Sequence, residues 1–208
     1  MQAMTSAVPQ RRIGLTGGIA SGKSSVARLL QRDHGLPLLD ADVMARQALA
    51  PGTAAARQVA ARYGNGVLSA ASDPAAAMLD RNALGQIVFS DAAERQWLEQ
   101  LVHPLVRQGF AAELQRLSAA PTVVLVIPLL FEAGLEHLCS EVWLVDCDEQ
   151  QQLERLMARD NLSASAARAR IAAQWPLARK RALASLILDN RSTPDALAPQ
   201  VNEALGAS

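Results

Sequence analysis

The sequence predicts an α/β fold in which helices flank a parallel β-sheet. Short apolar segments alternate along the chain with segments of helical periodicity, and this order of elements builds such a sheet. The segment 122–128 is apolar at nearly every position, as in a central strand that is buried on both faces. The middle of the chain, about 52–120, has a helical pattern with little strand signal, so we expect a helical insertion on one edge of the sheet.

The individual elements follow from apolar spacing and from residues that end helices. Strands are predicted at 12–16, 36–40, 122–128, 141–146 and 185–189. The first helix is predicted over 23–33, because Val26, Leu29 and Leu30 share one face and Gly35 follows. Further helices are predicted at 41–49, 53–63, 81–89, 91–101 and 103–117, in a basic stretch at 150–183, and from about Pro194.

Composition limits the kinds of protein that the chain can be. Its 208 residues suit one domain with a sizeable hydrophobic core. Lys and Arg together number 20, as do Asp and Glu, and only 3% of residues are aromatic, so a basic, base-stacking surface for nucleic acid is not expected. The longest apolar stretch, 123–131, is much shorter than the roughly 20 residues of a membrane helix. We therefore expect small-molecule partners, with no nucleic acid, no membrane and no obligate protein partner.

The cysteines and the first residues of the chain indicate the compartment. Cys139 and Cys147 match neither a disulfide framework nor a zinc motif, so two free thiols in a reducing compartment are expected. The first residues lack the apolar run of ~7–15 residues that a secretory signal contains. We expect a cytoplasmic protein in which residues 1–11 form a flexible tail.

The segment 17–24 is the most informative motif, since it matches G-x-x-x-x-G-K-[ST] between a predicted strand and a predicted helix. Its glycines let successive backbone N–H groups turn toward a phosphate, and the helix N-terminus adds about half a positive charge. We expect Lys23 to reach the β- and γ-phosphates of a nucleotide and the Ser24 hydroxyl to bind Mg²⁺. The motif predicts a sheet of the P-loop NTPase type. The loop residues expected to bind the nucleotide are Gly17, Gly18, Ala20, Ser21, Gly22, Lys23, Ser24 and Ser25.

Three features separate the protein classes that share this loop. The N-K-x-D sequence of GTPases is absent, the chain is small, and the strand at 123–127 is followed by Pro128 where a motor ATPase would place an aspartate. A small-molecule kinase is therefore favoured. In such an enzyme Mg²⁺ would be held by Ser24, phosphate oxygens and water, with another carboxylate as a further candidate ligand.

Carboxylates follow two of the predicted strands. Asp40 and Asp42 come after the second strand, where the carboxyl ends of parallel strands face one crevice. Asp42 is a candidate base that accepts the proton of an acceptor hydroxyl, and Asp40 is either a helix cap or an outer ligand of Mg²⁺. Glu132 follows the third strand and either orients substrate or water, or is a solvated loop residue.

Arg155 and Arg159 lie four residues apart on one predicted helix, with Gln152 three residues before Arg155. Such arginines could close over ATP and neutralise the charge that develops on the γ-phosphate, or they could form a solvated face paired with Glu154 or Asp160. Asn190 follows the last strand, where an adenine-contacting loop is expected. The other basic residues of the stretch are expected to face solvent: Arg168, Arg170, Arg179, Lys180 and Arg181.

The dipeptide His103-Pro104 is expected between two helices, where a histidine is either a helix-boundary residue or a functional one. Together with the motifs above it completes a pattern that resembles the dephospho-coenzyme A kinase family along almost the whole chain. The matching segments are 13–26, 40–46, 101–104, 128–132, 152–160, Gln174 and 187–190.

The resemblance implies ATP-dependent phosphorylation of the ribose 3′-hydroxyl of dephospho-coenzyme A, the last step of coenzyme A synthesis, with Mg²⁺. It implies a P-loop core (12–51, 121–149 and 184–208), a helical coenzyme A-binding insertion (about 52–120) and a lid (about 150–183). By motif position, Asp42 would be the catalytic base, Lys23 and Arg155 would stabilise phosphate charge, and Ser24 would bind Mg²⁺. Arg159 and Asn190 would contact the nucleotide. The residues expected on the substrate side are Asp42, Arg46, His103, Pro128, Leu129 and Glu132.

Two other functions share the phosphate loop. One is a different small P-loop kinase, acting on a nucleoside, a nucleotide or a shikimate-like alcohol. The other is a nucleotide-binding switch, which would need no base for a second substrate, so Asp42, Arg155 and Arg159 argue against it.

Overall fold

The structure, a computed structural model, describes residues 9–69 and 78–206. Its centre is one five-stranded sheet in which all neighbouring strands are parallel and the order is β2-β3-β1-β4-β5. The strands are β1 (Arg11–Gly17), β2 (Leu38–Asp40), β3 (Thr122–Val126), β4 (Glu141–Asp146) and β5 (Leu186–Asp189). The predicted α/β class, with helices around a parallel sheet, is confirmed.

The described residues also form α-helices and short 3₁₀ turns. The helices are α1 (Lys23–Arg32), α2 (Ala41–Ala48), α3 (Ala54–Tyr63), α4 (Arg81–Ser90), α5 (Ala92–Arg116), α6 (Glu149–Asp160), α7 (Ala164–Ala172), α8 (Leu177–Arg181) and α9 (Leu197–Gly206). The 3₁₀ turns are Gly64–Val67, Glu136–Leu138 and Pro194–Ala196. Nowhere in the ranges 9–69 and 78–206 is a helix both long enough and apolar enough to cross a membrane.

The chain divides into two compact units, and the sheet belongs to the unit made of the residues up to Asp40 and those from Leu117 onward. Apolar side chains of the central strands are fully buried against α1 and α9, as β1 requires from its position in the middle of the sheet. The buried strand residues include Ile13, Leu15, Val124, Trp143 and Val145, and the helix residues packed with them include Val26, Leu30 and Val201. Each contributes roughly 1.5–3 kcal/mol of hydrophobic stabilisation. Gly17 pairs with Val145, so β1 and β4 end side by side.

The second unit, Ala41–Arg116, is helical. It begins before residue 52, the expected start of the insertion, because α2 packs on α5: a Cβ at Gly109 of α5 would lie 3.3 Å from Met44 Sδ of α2. Arg62 and the Tyr63 hydroxyl donate hydrogen bonds to the Glu94 carboxylate. The Arg62 contact is the main reason that the pKa of Glu94 falls to about 2.

One long helix, α5, replaces the two helices predicted at 91–101 and 103–117, so the placement of His103-Pro104 between helices is wrong. Pro104 lies inside α5, where it lacks the N–H that would bond the Gln100 carbonyl. The buried residues before and after the proline lie on one face of the helix, and their hydrophobic burial outweighs the lost hydrogen bond. The buried residues of this face are Val102, Val106, Phe110 and Leu114.

Two other boundaries differ from the expectations. Arg11, placed in the flexible tail, is the first residue of β1 and pairs with Thr122; residues 1–8 lie outside the described residues. The stretch 150–183 is divided into α6, α7 and α8. Its first break is at Asn161, whose positive φ of 51° ends α6, a conformation that asparagine tolerates better than most residues.

We expect Pro104→Ala to stabilise the protein, because alanine restores the missing N–H and Pro104 is exposed, so no cavity forms. The expected gain in the free energy of unfolding is roughly 1–3 kcal/mol, measured by thermal and urea unfolding. Gln108→Ala, an exposed change on the same helix, should alter it by less than about 0.5 kcal/mol. A lower melting temperature for Pro104→Ala would show that α5 depends on its proline.

Candidate active site

The phosphate loop connects β1 to α1, and the N-terminus of α1 has no side-chain cap. Gly22, the residue before α1, has a φ of +104°, which favours glycine, and a Cβ there would lie 2.2 Å from Asn190 Nδ2. No side chain caps α1, and although the Ser25 N–H donates to the Gly22 carbonyl at 2.9 Å, the helix N-terminus has no side chain between it and an anion. This is the geometry that the motif at 17–24 predicts.

Two polar groups in the loop are placed for a phosphate. Lys23 curls back over the loop, and its Nζ donates hydrogen bonds of 2.9 Å to both the Gly17 and the Gly18 carbonyls. Ser21 is fully buried, and its Oγ has no hydrogen-bond partner among the described residues. Because an unsatisfied buried hydroxyl is costly, a ligand oxygen at this position would be favourable.

Asn190 supports the loop from the end of β5. Its side-chain Nδ2 donates a hydrogen bond of 2.8 Å to the Ser21 carbonyl, and its backbone N–H donates one of 2.8 Å to the Asp146 carbonyl. The side chain is buried. Asn190 thus joins the phosphate loop to the ends of β4 and β5.

Arg155, on α6, lies in the same region as Lys23. Its Nη2 donates to the Asn190 carbonyl at 3.1 Å, while its Nη1 is buried and has no hydrogen-bond partner among the described residues. Burial raises the pKa of the Cys147 thiol to about 11, and both Arg155 and Lys23 are near enough to oppose that rise. Because Asn190 also binds the Ser21 carbonyl, Arg155 is joined to the loop through Asn190, and its Nη1 remains as a donor for an anion.

Arg159, one turn further along α6, has a different environment. It is exposed and pairs with Asp160 at 2.7 Å, and Asp160 also accepts a hydrogen bond of 2.9 Å from Arg170. The hydrogen bond from Arg159 is the main cause of the lowered pKa of Asp160. Arg159 is therefore the arginine of a solvated face paired with Asp160, which was the alternative to a contact with ATP.

The segment after β3 is held by a buried ion pair. Lys180, expected to face solvent, is 0% exposed, so that expectation is wrong. Its Nζ lies 2.7 Å from Glu132 Oε1, which also accepts the Trp175 N–H at 3.0 Å, while Glu132 Oε2 is buried without a hydrogen-bond partner among the described residues. The loop glutamate compensates the charge of Lys180, which explains the burial.

The other residues of this segment have separate environments. The Pro128 carbonyl accepts the Thr16 hydroxyl at 3.2 Å, so β1 also holds the segment. Leu129 is 39% exposed. Of the three residues expected on the substrate side here, Leu129 alone is an exposed apolar side chain.

A cavity of about 630 Å³ lies beside the phosphate loop, between the loop and α6–α8. Gly18 and Gln152 line it on the loop side, and Trp175 and Arg181 line it on the side of α8. Arg181 Nε also donates to the buried Asp146 carboxylate at 2.9 Å. Asp146 is not among the site residues predicted from the sequence. Its carboxylate at the end of an apolar strand is the signal that could have indicated it.

The predicted residues of the helical unit lie on α2 and α5. Asp42 is in the first turn of α2, Arg46 is in its last turn, and His103 is near the middle of α5. Arg46 and Arg81 line a cavity of about 270 Å³ within this unit, and the rest of its lining is mostly apolar. Such a cavity suits a ligand with an apolar part and a negative charge.

Mg²⁺ fits the loop by its donor chemistry. Ser24 is exposed in the first turn of α1, where its hydroxyl can be a hard oxygen ligand. Between residues 9 and 206, the segment 70–77 excepted, no three His, Cys, Asp or Glu side chains come together as a metal site. In kinases Mg²⁺ commonly takes few protein ligands and completes its shell with phosphate oxygens and water.

The parallel sheet, the uncapped helix after the glycine loop, and Lys23 and Arg155 held beside that loop define a P-loop nucleotide-binding protein of the kinase type. The model of the dephospho-CoA kinase family matches residues 11–195. The chain belongs to the dephospho-CoA kinase family. It is therefore an enzyme, a transferase of coenzyme A biosynthesis with ATP as phosphoryl donor, and the family resemblance of the motifs is confirmed.

Individual relatives agree with this assignment over nearly full length. The chain is 61% identical to the dephospho-CoA kinase of Synechococcus sp. strain CC9605, covering 96% of this chain and 94% of the relative. It is 57% identical to that of Prochlorococcus marinus strain MIT 9313, covering 93% and 95%. Both relatives carry the name of the family that the motifs indicate.

Solved structures agree as well. The crystal structure of a Thermus thermophilus protein matches with a TM-score of 0.79 and 36% identity, covering 96% of this chain and 98% of that one. The dephospho-CoA kinase of Campylobacter jejuni matches with a TM-score of 0.68 and 26% identity, covering 94% and 95%. The similarity of fold thus covers more than nine tenths of the chain.

We expect Lys180→Met to lower the free energy of unfolding by roughly 2–4 kcal/mol, because it leaves the Glu132 carboxylate largely buried and unpaired. The double variant with Glu132→Gln should recover much of the loss, since it removes the uncompensated charge. Urea unfolding measures both variants. Arg168→Met, an exposed change in the same segment, is the control and should cost less than about 0.5 kcal/mol. Equal losses at 180 and 168 would contradict a stabilising buried pair.

Proposed function

We propose that this enzyme transfers the γ-phosphoryl group of ATP to the ribose 3′-hydroxyl of dephospho-CoA, giving coenzyme A and ADP. The observation that carries the proposal is the phosphate loop, over which Lys23 is curled and to which Arg155 is joined through Asn190. The acceptor is inferred from the relatives, which are named for this reaction.

ATP binding is assigned to the loop and to the arginines of α6. Lys23 leaves the Gly17 and Gly18 carbonyls for the β- and γ-phosphates, while Ser21 Oγ and the N–H groups at the start of α1 satisfy phosphate oxygens. The unpartnered Nη1 of Arg155 supplies a charge-assisted hydrogen bond as charge develops on the transferring group. The remaining nucleotide contacts are assigned to Gly17, Gly18, Ala20, Gly22, Ser25, Arg159 and Asn190.

Ser24 is assigned as the protein ligand of Mg²⁺. When bound, the ion neutralises charge on the β- and γ-phosphate oxygens. Ser24 supports this assignment by its exposed hydroxyl in the first turn of α1.

Asp42 is assigned as the base. It lies two residues after β2, and the carboxyl ends of parallel strands share one edge of a sheet. Its carboxylate accepts the proton of the 3′-hydroxyl as that oxygen bonds to the γ-phosphorus. The bond from this phosphorus to the β–γ bridging oxygen breaks, and ADP leaves with the electron pair. The other residues assigned to dephospho-CoA are Arg46, His103, Pro128, Leu129 and Glu132.

The two substrates are the partners that the proposal requires, without nucleic acid, membrane or an obligate protein partner. We place the reaction in the cytoplasm, a reducing compartment in which thiols such as those of Cys139 and Cys147 stay reduced.

The direct test of the function is ADP release by purified protein with Mg²⁺ and ATP, with and without dephospho-CoA. We expect ADP release that depends strongly on this acceptor, with coenzyme A formed in equal amount. Protein that binds ATP but shows no such dependence would overturn the proposal, and shikimate-like alcohols and nucleosides would then be the acceptors to test.

Asp42→Asn should reduce kcat by about 10²–10⁴-fold, because the amide cannot accept the proton, while ATP affinity stays within a few-fold. Steady-state kinetics and calorimetric ATP titration measure the two effects. Asp33→Asn, an exposed change at the C-terminal end of α1, is the matched control and should leave kcat unchanged. If ATP affinity collapses with kcat in Asp42→Asn, Asp42 has a structural or metal-linked role instead.

A further inference from the structure

The tip of the phosphate loop is held through both backbone groups of a single residue. The Ile19 N–H donates a hydrogen bond of 2.9 Å to Gln174 Oε1, and the Ile19 carbonyl accepts one of 2.8 Å from Gln152 Nε2. Gln152 lies on α6, and Gln174 lies between α7 and α8. Two glutamines distant in sequence from the loop, and from each other, thus satisfy the donor and the acceptor of one peptide segment. We call them the glutamine clamp.

Apolar packing fixes the same tip. Ile19 and Ala20 pack on a buried cluster formed by Leu153 and Leu156 of α6 and Ala167 of α7. The hydrogen bonds orient the peptide groups of Ile19, and the apolar packing keeps the Ile19 side chain against α6 and α7. The tip is therefore docked on the same elements that carry the clamp.

The two neighbours of Ile19, Gly18 and Ala20, have little conformational freedom. A Cβ at Gly18 would lie 2.1 Å from Gln152 Nε2, so the amide of Gln152 lies directly against the glycine. Ala20 has a φ of +58°, a left-handed conformation that is unfavourable for a non-glycine residue. Such a conformation persists where surrounding contacts hold it, and the clamp and the apolar cluster are those contacts.

The clamp also connects the loop to Arg155. Gln152 and Arg155 lie on α6 three residues apart, which places them on neighbouring positions of one helix face. Gln152 is 3% exposed and bonds the loop, while Arg155 is held by the Asn190 carbonyl. The helix that carries the phosphate-binding guanidinium is thereby fixed to the loop that carries the phosphate-binding N–H groups.

We propose that Gln152 and Gln174 are positioning residues for the phosphoryl donor: they hold the phosphate loop in its binding conformation and in a fixed position relative to Arg155. The proposal rests on the proposed assignment of ATP to this loop. Neither glutamine needs to touch the nucleotide. Loss of either one leaves an Ile19 peptide group without its partner and lets the loop populate conformations that bind phosphate poorly. The apparent affinity for ATP then falls in proportion to the fraction of loops that remain competent.

The test uses full-length variants in which one glutamine is replaced. Gln152→Met and Gln174→Met keep the length of the side chain and remove the amide, and Gln150→Met, an exposed change on α6, is the matched control. Calorimetry with ATP alone gives the affinity, and steady-state kinetics give KM for each substrate. We expect each clamp variant to bind ATP roughly 5- to 30-fold more weakly. KM for dephospho-CoA should change little, and the control should match the wild type.

A second pair of variants tests the direction of the hydrogen bonds. Gln174→Glu keeps an acceptor for the Ile19 N–H, whereas Gln152→Glu places an acceptor against the Ile19 carbonyl. Because both changes add the same charge beside the loop, the difference between them isolates the hydrogen bond. We expect Gln152→Glu to bind ATP more weakly than Gln174→Glu. Equal affinities in these two variants would overturn the proposal.

A purely structural role predicts a different result. In that case the methionine variants lower the melting temperature but leave the ATP affinity and KM of the folded enzyme unchanged, and the proposal is wrong. Where a methionine variant does not fold, the asparagine variant, which is one methylene too short to reach Ile19, is measured by the same criteria. The ATP titration needs no acceptor, so absence of dephospho-CoA turnover in wild-type enzyme would contradict the proposed function and leave this test intact.

Discussion

The geometry of this site depends on one constraint: several backbone N–H groups must point at the same small volume. Their dipoles repel one another until an anion is bound, so a loop with this curl needs support from outside itself. Gly22 supplies the required positive φ, and the space that a Cβ would take is filled by Asn190. The loop is therefore shaped by its own glycines and held by side chains from distant parts of the chain.

The supports come from the ends of the parallel strands and from the helices that follow them. Asn190 ties the loop to the end of β5, and Arg155 in turn binds the Asn190 carbonyl. Two ion pairs lie close by, one between Glu132 and Lys180 and one between Asp146 and Arg181. In these pairs the carboxylates compensate the charges of Lys180 and Arg181, whereas Arg155 Nη1 has no hydrogen-bond partner among the described residues.

The sequence was sufficient for the parts that local chemistry determines. The glycine-lysine motif predicts the phosphate loop, and apolar runs predict the strands, because both depend on neighbouring residues. Pro104 was misjudged because a single proline usually ends a helix, while here packing on both sides of it carries α5 through. The burial of Lys180 could not be predicted, because its partner Glu132 is distant in sequence. The same holds for the hydrogen bond between Ile19 and Gln174, since residue spacing carries no information on contacts between distant segments.

The most direct test of a pre-formed phosphate site is a crystal structure of the enzyme with a non-hydrolysable ATP analogue. A pre-formed site predicts that Lys23 Nζ leaves the Gly17 and Gly18 carbonyls for the phosphates, while the backbone of residues 17–24 moves by less than about 1 Å. Arg155 should gain a phosphate contact through Nη1. A loop that rebuilds around the analogue, or an analogue bound away from Lys23, would contradict the account.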